Sequence, residues 1–200
     1  THCGVPFNRA PVVAVDFTDQ VRNRRSQYEA CAGRPLAAYF KRELPLGADW
    51  GYPLPLMYPV SRVPDPMPWD AKRENARLFF HATNHAEGGP GLPRIEMAER
   101  FMQCVPTPWC DVRLYRGQEK GTRPSPEEYH ARMAQALVGV SWNGFPHVEQ
   151  WDCNRFWEQF AFGLCQVAER PRIQIPHMPQ DGIDCLYADS PEGVARKAME

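Results

Sequence analysis

The sequence predicts an α/β protein: a Rossmann-like parallel sheet flanked by helices, preceded by the end of a first α/β domain. Three observations predict it. Short apolar runs alternate with segments of helical periodicity from about residue 76 onward, the pattern of βαβ units in a parallel sheet. Ser125 and Ser190 are each followed by proline and then glutamate, a strong signal for a capped helix start. A proline-rich stretch between Pro45 and Pro68 separates this regular part from an earlier pair of strands.

The elements follow in order. Residues 11–16 (PVVAVD) form an apolar run ending in an acid, which fits a buried parallel strand. A polar, arginine-bearing stretch covers 19–29, and 36–40 (LAAYF) is a second strand. Prolines cannot donate to a sheet ladder and break helices, so 45–68 reads as extended connection. A connection of that length marks a linker or a functional loop. The expected domains are therefore 1–64, the C-terminal part of a first domain plus linker, and 65–200, a Rossmann-like domain cut at its C-terminal end, to which the resemblance described below assigns nucleotide-sugar binding.

Beyond the linker, 76–80 (ARLFF) is a strand, 81–93 a glycine-rich loop and 94–102 a helix. Residues 111–115 are a strand, and a helix capped by Ser125 runs to about 136. The pattern continues with strand 137–141, helix 154–164, strands 165–168 and 184–188, and a final helix opened by Ser190. Ligands of such sheets sit beyond the carboxyl ends of the strands. That rule selects the loops 81–93, 116–124 and 142–154.

Composition bounds the function. The chain has 200 residues, 43% hydrophobic and 24% charged, with a formal net charge of -1. This balance argues against a broad surface for nucleic acid, and no apolar run approaches the ~20 residues of a membrane span. The seven cysteines are scattered without a CxxC pair; free thiols, several of them buried, in a reducing compartment are expected. The chain starts without Met and stops at Glu200 within a helical pattern, so both ends look cut.

Three features could carry chemistry. Gly88, Gly89 and Gly91 lie in a loop that feeds a helix beginning with Arg94. Glycines let backbone N–H groups approach an anion, and the helix start and arginine favour a phosphate. The loop reads equally as a surface turn, since both GxGxxG and GK[ST] are absent. His81 and His85 are four apart but lack the glutamate of HExxH, so no metal site is expected. The densest cluster spans 141–163, where a glycine turn precedes Arg155 and Glu158 on one helix face. A carboxylate there can accept ribose hydroxyls. Taken alone, the cluster reads more simply as core aromatics beside a surface ion pair.

The stretch 155–167 (RFWEQFAFGLCQV) resembles the R-[FY]-x-E-x-[LF]-A-x-G-x-x-x-V element of GT-B glycosyltransferases, exostosin-like and family-one-like enzymes. Residues 181–193 (DGIDCLYADSPEG) are similar to a later strand and helix of those proteins, and YFKRE at 39–43 with PLPL at 53–56 to a stretch before their second domain. The resemblance implies a metal-independent transfer of a sugar from a nucleoside diphosphate to an acceptor (glycan, lipid or protein), with no cofactor besides the donor substrate. It implies that Glu158 binds the donor ribose, that Arg155 lies near the phosphates or sugar, and that Asn143 and Gly144 face the donor. Arg94, Gly88, Gly89, Arg116 and Arg155 would meet the charge developing on the departing diphosphate. Retaining members carry a second glutamate eight positions earlier; here Gln150 stands there, beside Glu149. The catalytic base would come from the first domain, so the fragment alone would be inactive. A cytoplasmic location is expected, or the Golgi lumen for an exostosin-like parent. The alternatives are a non-catalytic nucleotide-binding or interaction module and, more weakly, a response-regulator-like domain, for which only Asp16 and Asp19 offer acids.

Overall fold

The computed structural model describes residues 10–17, 22–42, 44–54, 70–71, 77–84, 91–106, 108–116, 123–142 and 154–200. These form two compact units, and the division is discontinuous: Pro171–Met178 belongs to the first.

The first unit has a three-stranded parallel sheet in the order β1 (Val13–Asp16), β2 (Ala38–Lys41), β3 (Tyr52–Pro53). Helix α1 (Arg25–Ala32) links β1 to β2, within and beyond a stretch that promised only polarity. Gly33 ends it at φ 67°, where its N–H reaches the Ala30 carbonyl, a backbone region that glycine adopts without strain. The sheet is buried on one face only. Ala14 and Tyr39 pack with Leu36, Tyr28 and Trp50, whereas Val13 and Val15 are half exposed. The expectation of a strand buried on both faces is thus corrected. Asp16 and Lys41 end their strands as adjacent Cα partners and are fully buried. Their charges lie 3.5 Å apart and the Tyr39 hydroxyl donates to Asp16 at 2.7 Å, which compensates two charges removed from water. The segment Pro171–Met178 is held by the Gln174 amide, donating to the Pro45 and Ala48 carbonyls at 2.9 and 2.8 Å. The Gln174 backbone N–H adds a bond to Leu44, and Ile173 is buried.

The second unit is a five-stranded, wholly parallel sheet flanked by helices, an α/β fold of the Rossmann-like, doubly wound kind. Its strands are β4 (Arg77–Asn84), β5 (Cys110–Arg116), β6 (Ala136–Ser141), β7 (Cys165–Glu169) and β8 (Cys185–Ala188), in the order β5-β4-β6-β7-β8. The chain goes from β4 to one side and returns to the other, so the order reverses between β4 and β6, where such sheets take their ligands. The helices are α2 (Gly91–Cys104), α3 (Pro126–Ala134), α4 (Asn154–Ala161) and α5 (Pro191–Met199).

Strand alternation sends neighbouring residues of β4 to opposite faces. Leu78, Phe80 and Ala82 join Val140, Trp142 and Val167 under α2 and α5, against Met97, Phe101 and Val194. Phe79 packs the other way, with Met133 of α3, Phe162 and Leu164. Gly139 lets α4 sit down on β6: a Cβ there would lie 2.8 Å from Gln159 Oε1 and 2.9 Å from Leu164 Cδ2. Both serine caps form, with Ser125 Oγ accepting from Glu128 N–H and Ser190 Oγ from Gly193 N–H, each at 3.1 Å. The capping box is only half made, since the Glu128 carboxylate turns to Arg132 one turn on.

Three boundaries move. Strand β4 runs on through His81 to Asn84, because each of those residues pairs with β5. Helix α2 starts at Gly91, so the expected loop shrinks to residues outside the described set. Helix α4 stops at Ala161 rather than 164, as Gly163 takes φ 68°. Among the described residues no helix is long and apolar enough to cross a membrane. Of the five described cysteines, all free, only Cys185 is buried, fewer than expected. Burial and the nearby Asp111 charge push the Cys110 thiol up to about 11, which keeps it protonated and unreactive.

Candidate functional site

A cleft of about 380 Å³ opens beside the carboxyl half of β4, walled by β5 and the first turns of α3 and α4. Its floor is His81, 2% exposed. His81 is the Cα partner of Arg113, so Asp111 and Tyr115 flank it from the same side of β5. The imidazole bridges them: Nε2 lies 3.0 Å from Asp111 Oδ1 and Nδ1 3.0 Å from the Tyr115 hydroxyl. Its ring stacks on Phe79, with centroids 4.1 Å apart.

The charge states follow from these surroundings. Burial lowers the pKa of His81 below its ordinary 6.5, outweighing the opposing pull of Asp111. At Asp111 burial acts to raise the pKa, but the bond from His81 and the charges of Arg132 and Arg113 outweigh it and hold the carboxyl below its usual range. Burial raises the Tyr115 phenol. At neutral pH the set is therefore a carboxylate, a neutral imidazole and a protonated phenol. A carboxylate only accepts, so the imidazole proton sits on Nε2 and Nδ1 accepts from Tyr115.

Helices α3 and α4 supply the opposite wall. Arg155 and Glu158, three apart, line the cleft together. Glu158 Oε1 lies 3.1 Å from His130 Nε2, and Oε2 accepts from the Tyr129 hydroxyl at 3.4 Å. The Glu158 side chain remains 17% exposed, and each carboxylate oxygen has a second lone pair for a ligand. Among the described residues Arg155 Nη1 is buried without a hydrogen-bond partner. Arg123, just before the α3 cap, completes the basic side.

The site brings together two of the residues expected from sequence, Arg155 and Glu158. Arg94 does not join them. It is buried in α2, which packs on the other face of the sheet, because the helix starts three residues earlier than expected. Arg116 closes β5 opposite Asn84, and its side chain lies outside the described residues. Gly88, Gly89, Asn143, Gly144, Glu149, Gln150 and His85 also lie outside them. His81, weighed for a metal, has both ring nitrogens taken by protein groups. Among the described residues no cluster of three or more His, Cys, Asp or Glu could hold a metal ion. Sequence reasoning missed Tyr115, Arg123, Tyr129 and His130 as wall residues and Asp111 as the partner of His81, and no spacing signal links them. No family model, curated protein or solved structure matches the chain.

Proposed function

We propose that the second unit binds a nucleoside-diphosphate sugar in this cleft and that the protein is a glycosyltransferase of the GT-B type, passing the sugar to a glycan, lipid or protein acceptor. One observation carries the reading: Arg155 and Glu158 stand on one wall, with Arg123 beside them, at the carboxyl edge of a parallel sheet. The two arginines suit a diphosphate through charge-assisted bonds. The first turns of α3 and α4 add the positive ends of two helix dipoles. Glu158, steadied by His130 and Tyr129, offers its remaining lone pairs to the vicinal hydroxyls of a ribose. The resemblance at 155–167 supports the same assignment.

Calorimetric titration with UDP and GDP tests it. Binding of either is expected, with Glu158→Ala weakening it by roughly tenfold or more, the scale of a lost bond to a charged group. Glu158→Gln keeps the shape while removing the charge. Wild-type affinity in both variants would remove the ribose contact. Incubation of the intact protein with UDP- and GDP-sugars and an acceptor panel then separates catalysis from binding: nucleotide binding without transfer supports the non-catalytic module.

A further inference from the structure

The cleft holds a hydrogen-bonded chain that the proposed function does not use: Asp111, His81 and Tyr115. Its polarity is fixed from one end. Asp111 is flanked by the guanidinium groups of Arg113 and Arg132, at 3.4 and 3.6 Å, so it stays a carboxylate and accepts the hydrogen bond from Nε2–H. His81 Nδ1 is then a bare acceptor, and the hydroxyl 3.0 Å away that donates to it is the phenol of Tyr115. With the phenolic proton committed inward, the oxygen of Tyr115 has only lone pairs left. Tyr115 lines the cleft.

We infer that Tyr115 is a specificity-determining residue of the cleft: its hydroxyl, turned by the Asp111–His81 pair, offers the ligand an acceptor only, and so selects a ligand hydroxyl or N–H over an anionic oxygen. Asp111 and His81 are the positioning residues. The inference rests on the sugar-nucleotide reading for the kind of ligand, and it divides that ligand's contacts. The phosphates go to Arg123 and Arg155, and a sugar or ribose hydroxyl goes to the acceptor side formed by Tyr115 and Glu158. An unpaired phosphate oxygen against the Tyr115 lone pairs would be repelled.

Protonation of His81 reverses the arrangement. Nδ1–H would donate to the Tyr115 oxygen, and the phenolic proton would turn toward the cleft. The groups facing His81 are Asp111, Arg113 and Tyr115 on β5, and Arg132 and Tyr129 on α3. His130 and Glu158 pair with each other beside it.

Two measurements on the whole chain test the inference. Long-range proton–nitrogen NMR at pH 7.5 is expected to show His81 as the Nε2–H tautomer; an Nδ1–H tautomer or an imidazolium overturns the proposal whatever binds. Titration with UDP-glucose and GDP-mannose compares the wild type with Tyr115→Phe at pH 7.5 and 5.5. The variant is expected to bind roughly tenfold more weakly at pH 7.5, one hydrogen bond's worth. Wild-type affinity is expected to fall on acidification, and the variant's to fall less, although both keep His130 and Glu158. Equal affinities and parallel pH profiles overturn the proposal while leaving the donor reading intact. Failure of the wild type to bind either sugar nucleotide sinks the donor reading and the ligand class assigned to Tyr115 with it.

Discussion

The two faces of the second unit's sheet are built on opposite principles. Under α2 and α5 the contacts are mainly apolar, with Phe80 and Phe101 edge to face at 5.7 Å and alanines where the helices approach; Arg94 is the buried charged side chain of α2. Under α3 and α4 the described apolar contacts, Phe79 with Met133 and Phe156 with Tyr187, are interleaved with buried polar side chains: His81, Ser141, Gln159 and Gln166. The continuous apolar cluster under α2 and α5 buries its side chains by the hydrophobic effect with few polar atoms among them. The other face buries more polar groups, one of which, His81, is hydrogen-bonded at the floor of the cleft. The difference teaches where to look for function in a doubly wound layer: on the face whose burial is polar.

The comparison can be broken or sharpened, starting with the largest effect. Phe80→Ala empties the centre of the apolar face and is expected to cost about 3–5 kcal/mol of stability, read from urea unfolding. A loss below about 1 kcal/mol would mean that this face is loosely packed. Gly139→Ala probes the polar face, where the added methyl meets Gln159 and Leu164 inside 3.0 Å. Overpacking of that kind costs about 1–3 kcal/mol, and an unchanged midpoint would show that α4 is loosely seated. Ser125→Ala removes the α3 cap for about 1 kcal/mol; because α3 lines the cleft, its ligand affinity should fall as well, whereas Ser190→Ala on the apolar side should change stability alone.

The last effect is nil at pH 7.5 and grows only on acidification. His81 has a folded pKa below its ordinary 6.5, so below that pH the unfolded chain takes up a proton that the folded one refuses. Stability therefore falls as the pH drops from about 6.5 through the folded value. Asp111, lowered from 3.8, adds a further loss only in stronger acid. Thermal unfolding between pH 7.5 and 5 should show the first decline, and His81→Gln should flatten it. A midpoint that rises on acidification would mean that the imidazole is charged in the fold.

Much of this layout was legible in the sequence. The strands of the second unit announce themselves as apolar runs, and Ser125 and Ser190 mark their helices by cap chemistry that is local along the chain. The far end of β4 was not legible, because His81, Thr83 and Asn84 carry no apolar alternation and are strand only through their ladder with β5. The pairing of His81 with Asp111 and Tyr115 spans 30 and 34 positions, and only the register brings them together. Arg155 and Glu158 could be read because helical spacing puts them on one side. Their partners His130 and Tyr129, on another helix, could not.

The passage from β7 to β8 is lodged in the other unit, and this has a practical outcome for dissecting the molecule. A truncation beginning at β4 would carry Pro171–Met178 without the carbonyls of Leu44, Pro45 and Ala48 that receive Gln174, and would bare Ile173 to water. The earlier half expressed by itself would lack its inserted stretch in turn. Neither piece is a natural cloning unit, and work on the cleft should keep the polypeptide whole.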